Sequence, residues 1–220
     1  MSLPMLFRDE MKGFYKSKVM VFLWFGLPLM SLLLHLWYPD TGSEISFTTV
    51  SALLVSSLGG TLASVMLAVS IINEKNRRVY DLFLIRPIKR RDLLFAKFLA
   101  IYTCIAIASI LALMLGMGID YAMHGGTPAQ MLKGAGESMT ISLSMMAISS
   151  SVGIVIGVAS PSVLVGAILV VYGGNQISII PTIPTLLKIS NPIPFTVALG
   201  IVITMIFLAL SVVIFNKKQF

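Results

Sequence analysis

The chain has 220 residues, of which 57% are hydrophobic and only 11% charged, with a net charge of +7 and a mean hydropathy of +0.94. Soluble domains carry about 25% charged residues, so this composition excludes an ordinary water-exposed globule. One cysteine excludes an intramolecular disulfide, and the absence of a G-x-x-x-x-G-K-[ST] loop excludes ATP binding by that route.

Residues 1–18, "MSLPMLFRDEMKGFYKSK", mix apolar and charged positions. Phe7, Met11, Phe14 and Tyr15 follow the i, i+4, i+7, i+8 spacing of one helix face. A short amphipathic helix lying in the membrane interface would bury that face and leave Arg8, Asp9, Lys12 and Lys16 in water.

Beyond the leader, residues 19–39, 45–73, 98–119, 138–187 and 189–216 contain no Asp, Glu, Lys or Arg. A helix crossing the hydrocarbon core needs about 20 apolar residues. Four of these runs fit one crossing each. The fourth run in chain order fits two, with a turn at Ser160-Pro161-Ser162, because proline disfavours helical geometry in the residue before it. The expectation is one all-α integral membrane domain over 1–220, with six spans near 19–38, 48–72, 98–119, 138–159, 162–180 and 196–215 and a connecting segment over 74–97. The first run is too long for the core of a cleavable signal.

Orientation follows from charge. With six spans, one side receives Arg8, Lys12, Lys16, Lys18, the eight basic residues of 74–97, Lys217 and Lys218, and the other receives only Lys133 and Lys188. The positive-inside rule puts both termini and the 74–97 loop in the cytoplasm. Most of these basic residues read as anchors at the lipid surface, so nucleic acid is not an expected partner.

Within the second span, Ala52, Ser56, Gly60, Ser64 and Ala68 recur at every fourth position, and Gly153 and Gly157 repeat the pattern in the fourth. Small residues on one face let helices approach closely, so these positions are expected to pack helix on helix. Between the last two spans, "YGGNQISIIPTIPTLLKISNPIPF" (172–195) is apolar yet carries four prolines. Such a stretch reads as short re-entrant segments, because non-helical backbone at membrane depth has to be buried in protein or line a wet cavity.

Catalytic chemistry is hard to find. His35 and His124 have no Cys or carboxylate at ligand spacing, so no metal site is expected, and no span after the serines of the fourth carries a histidine to act as their base. Glu74, Asp120 and Glu137 fall only at span ends, which leaves no intramembrane carboxylate for proton-driven transport. The fourteen methionines read as apolar filler more readily than as copper ligands. Nothing here identifies a cargo.

The charged exception is "EKNRRVYDLFLIRPIKRRDLLFAK" (74–97). Its pattern is two short helical pieces separated by Pro87, with Asp92 favouring the start of the third span. Val79, Leu82, Phe83 and Arg86 lie on one face, with Tyr80 and Leu84 exposing further bulky groups. Such residues want a surface to bury against, lipid or a partner protein, and charges around an aromatic and aliphatic centre are the composition of a protein interface. The stretch resembles the cytoplasmic loop of type-two ABC export permeases, whose order of Glu, an acidic position, a Leu-rich turn, Pro, a basic pair and Lys is met by Glu74, Asp81, Leu82, Leu84, Pro87, Arg90, Arg91 and Lys97. Arg78-Val79 stand where that family often has Gly-Thr. "NPIPFTVAL" (191–199) is similar to the family's Asn-Pro segment ahead of the sixth span.

The resemblance implies a permease subunit that pairs with a separate ABC ATPase, which would carry ATP and Mg while this chain holds no cofactor. It also implies a dimer, most simply a homodimer, in the plasma membrane, with a coupling helix over 76–86. The implied ATPase-contact residues are Tyr80, Asp81, Leu82, Phe83, Leu84, Arg86, Pro87, Lys89 and Arg90, with Glu74 as a buttress of the loop. The alternatives are an ATP-independent channel or facilitator, a lipid-modifying membrane enzyme and a non-transporting adaptor.

Overall fold

The computed structural model describes residues 3–37, 47–77, 90–124, 128–187 and 191–217, and among these it contains helices and no strand. In order they are α1 (Leu3–Tyr15), α2 (Lys18–Trp37), α3 (Phe47–Asn76), α4 (Arg90–His124), α5 (Pro128–Ala159) and α6 (Val163–Leu169). A π-helical turn (Val170–Gly174), α7 (Asn175–Ser178), a 3₁₀ turn (Ile180–Thr182), α8 (Ile183–Leu186) and α9 (Pro192–Lys217) follow.

Among the described residues, five stretches are long and apolar enough to cross a membrane: Leu53–Asn76, Arg91–Ile119, Lys133–Ala159, Val163–Thr185 and Pro192–Lys217. A sixth is reached when α1 and α2 are taken together; they are bent by 70° where they meet. Ser17 makes that elbow, its hydroxyl accepting from the Met20 backbone N–H at 3.1 Å as an N-cap of α2. Large side chains such as Phe25 (75% exposed) on α2 and Tyr172 (75%) on the π turn face outward, which is favourable in lipid and costly in water.

Helix α5 is the hub. Within its apolar core 72% is buried inside the molecule, against 22% for α9. One side of α5 meets α3 and another meets α9. Close approach to α3 depends on small residues: a Cβ on Gly153 would sit 2.6 Å from the Ser64 carbonyl oxygen, and one on Gly157 3.0 Å from Ala68 Cα. On Gly200 of α9 it would sit 2.9 Å from Ser144 Cβ. Helix α4 presents a further small row, Ala96, Ala100, Cys104, Ala108 and Ala112, all buried. Polar side chains join the packing. Ser149 donates to the Gly60 carbonyl at 2.9 Å, and Ser57 donates to the Asn175 side-chain oxygen at 3.2 Å.

Two spans begin earlier than the charge-free runs indicate: α4 starts at Arg90 and α5 at Pro128. The helices simply continue through charged residues at their ends, and in α4 one of those residues, Lys97, is buried. The described part of the 172–195 stretch, up to Leu187 and from Asn191 on, is made of short helical pieces and the start of the last helix. Helical turns run on to Leu186, with the Gly173-Gly174 pair inside a π turn and Pro181 and Pro184 each near the start of a new short turn, where a missing N–H costs no helical bond. Thr196 of α9 donates to the Pro181 carbonyl at 3.1 Å, fixing these turns to the start of the last helix.

Candidate functional site

The residues predicted to contact a partner fall mostly outside the described part of the chain: Tyr80, Asp81, Leu82, Phe83, Leu84, Arg86, Pro87 and Lys89 lie in 78–89, and Arg90 is described only as the first residue of α4. Both roots of that connection are described, and they are tied together. Glu74 lies in the last turn of α3 and Lys97 in the second turn of α4. The Lys97 ammonium is 2.5 Å from Glu74 Oε1 and 2.8 Å from Glu10 Oε1 of α1, with its side chain only 1% exposed. Ser70 donates to the same Glu74 oxygen at 3.1 Å. The Phe14 ring centroid lies 5.8 Å from the Lys97 nitrogen, close enough for a cation–π contribution.

Three elements distant in sequence thus share one buried ammonium. Each acid is about three-quarters covered (side chains 21% and 24% exposed), and Glu74 Oε2 is buried with no hydrogen-bond partner among the described residues. Two carboxylates and one ammonium leave a formal charge of −1. Burial, only partly offset by the attraction of Lys97, pushes the Glu10 carboxyl above its ordinary value. Next door, Lys75 donates to the Ser160 carbonyl at 3.3 Å, so the α5–α6 turn lies at the same end of the bundle as the cluster.

Sequence reasoning reached only part of this site. Glu74 stands out in the sequence as a buttress and Lys97 as a motif position, whereas Glu10 belongs to no motif. A signal for both is present in the helical register. Leu6, Glu10 and Phe14 form a four-residue row on α1, and Leu93, Lys97, Ile101 and Ile105 form one on α4; the apolar members of both rows are buried. The expected apolar face of α1 is accordingly rotated: Leu6 and Phe14 are buried, Phe7 and Met11 are partly buried, and Tyr15 is 57% exposed with its ring edge-on to Trp24. Of the expected packing residues, Ser56, Gly60, Ser64 and Ala68 lie on α3 facing α5, where Gly153 and Gly157 meet Ser64 and Ala68. Ala52 lies in the first turns of α3.

An open groove adjoins the cluster. It has a volume of about 590 Å³ and runs between the α1–α2 elbow and α3, with Glu10 and Glu74 at one end. Among the described residues no group of three or more His, Cys, Asp or Glu side chains comes together as a metal site would require.

The family model described as ABC-2 family transporter protein matches residues 6–174, from α1 to the end of the π turn. No curated protein matches the chain.

Proposed function

The chain belongs to the ABC-2 transporter family, whose members are membrane permease components that work with an ABC ATPase, and from that premise we propose that it is the permease subunit of an ATP-driven exporter. Two copies form the pathway in the plasma membrane, with both termini and the 78–89 connection in the cytoplasm. The ATPase seats on Tyr80, Leu82, Phe83 and Leu84, with Arg86 and Lys89 at the rim.

One observation carries this reading: the buried Lys97–Glu74–Glu10 cluster locks α1, α3 and α4 together at the two roots of the connection. A push delivered to a loose loop is absorbed by the loop. Delivered to a loop whose roots are pinned to each other and to a third helix, it moves the helices. Breaking a buried ion pair by withdrawing one partner costs about 3–5 kcal/mol, enough for the roots to move as a unit. The α3 side between α2 and α6 supports a pathway there. Helices α2 and α6 both touch α3 but not each other among the described residues, and Leu54, Leu58 and Leu62 are partly exposed along that helix with Thr61 beside them.

Phe83→Asp tests the assignment. The variant is expected to fold and insert but to lose its ATPase subunit on purification in mild detergent, together with substrate-stimulated ATP hydrolysis. A Phe83→Asp complex that keeps both would sink the interface. A wild-type chain that moves substrate with no nucleotide-binding partner would favour the channel or facilitator instead.

A further inference from the structure

The groove beside the ion cluster has a chemistry of its own. Its walls are apolar, with Phe14 on the elbow side and Leu62, Val65 and Val69 on α3, and among the described lining residues the charged ones are Glu10 and Glu74, with no Lys or Arg. That is unexpected at the end of the molecule where basic residues gather: 74–97 alone holds eight of the chain's sixteen. The Lys97 ammonium is buried behind the carboxylates and shared by both, so these three groups together keep a formal charge of −1. From Leu62 to Glu74 the groove follows α3 for about 18 Å at 1.5 Å per residue, and its 590 Å³ falls in the range of small-molecule sites.

We propose that this groove binds a lipophilic amine, an elongated apolar body carrying one protonated nitrogen, with the ammonium against the Glu10–Glu74 carboxylates and the body along Leu62, Val65 and Val69. Charge complementarity selects the cation, and with no basic side chain among the described lining residues to meet a phosphate beside it, the occupant is a phosphate-free amine and not an aminophospholipid. The groove lies at one end of the exposed α3 side described above, which makes the amine a cargo class at its point of entry. The cargo role rests on the permease reading; the binding site does not.

The test uses the full chain in phosphatidylcholine nanodiscs and radiolabelled dodecylamine, with empty discs as background. Saturable binding is expected at one site per chain, with dodecanol competing at least tenfold more weakly and dodecyl sulfate not competing. Glu10→Gln combined with Glu74→Gln should weaken binding at least tenfold. Because that pair of changes also disturbs the buried lysine, Val65→Trp serves as the second variant: it fills the groove, leaves the ion cluster intact and should weaken binding to a similar extent. Equal competition by dodecanol, displacement by phosphatidylethanolamine in the disc, or full binding by Val65→Trp would each overturn the proposal. No ATPase is needed for these measurements, so loss of the partner assignment and loss of the amine site are separate outcomes.

Discussion

Lys97 shares a helical row with Leu93, Ile101 and Ile105, and the fold treats it as a core position. A buried ammonium is tolerable only while its partners hold it. Lys97→Met leaves Glu10 and Glu74 covered and facing each other without a counter-charge, and is expected to cost about 3–5 kcal/mol, read as a lower denaturation midpoint in detergent. Adding Glu10→Gln and Glu74→Gln to Lys97→Met should recover much of that loss, since the burial of uncompensated charge is then gone. Glu10 also makes a pH prediction. Its folded carboxyl holds a proton at pH values where the unfolded one, near 4.5, has released it. Stability at this residue therefore falls as pH rises from 4.5 through the raised value, and is greatest on the acid side of that window. Melting curves across the window should show a steeper fall for wild type than for Glu10→Gln; parallel curves would contradict the assignment.

Helix pairing rests on the absence of side chains at a few points. Gly153 packs directly on the Ser64 backbone, so Gly153→Ala forces α3 and α5 apart and should destabilise by about 1–3 kcal/mol, the usual range for overpacking. Gly136, on the same helix, has nothing within 4 Å of where its Cβ would lie. Gly136→Ala is thus expected to be neutral or slightly stabilising through helix propensity. Comparing the two melting temperatures separates close approach from a general intolerance of alanine. The four-residue spacing of Ser56, Gly60, Ser64 and Ala68 is legible in the sequence as a face, whereas the alanine row of α4 is hidden there among larger neighbours. The turns from Val170 to Leu186 were harder to read, because Gly-Gly and Pro signal a break from local preference alone. The helical turns that persist there are held by contacts such as Thr196 with Pro181.

At the scale of the molecule, the bent α1–α2 pair, the roots of the 78–89 connection and the α5–α6 turn all gather at one end. If that end is cytoplasmic, an impermeant maleimide added to intact cells should label Lys133→Cys and spare Lys16→Cys and Lys217→Cys. The Cys104→Ser background suits this experiment, since the native thiol is buried. Labelling of Lys16→Cys from outside would invert the topology. By itself the sequence determined that the chain is helical and membrane-spanning, roughly where its apolar segments lie and which end collects positive charge. Those properties follow from the run lengths and charge counts of single segments meeting a slab of hydrocarbon. Only the tertiary structure decided that Glu10, Glu74 and Lys97 meet, and that a groove with an acidic end opens beside them. Their encounter depends on the rotation of three separate helices about their own axes, which is fixed by the packing of glycine, alanine and serine faces between neighbours and by no local pattern.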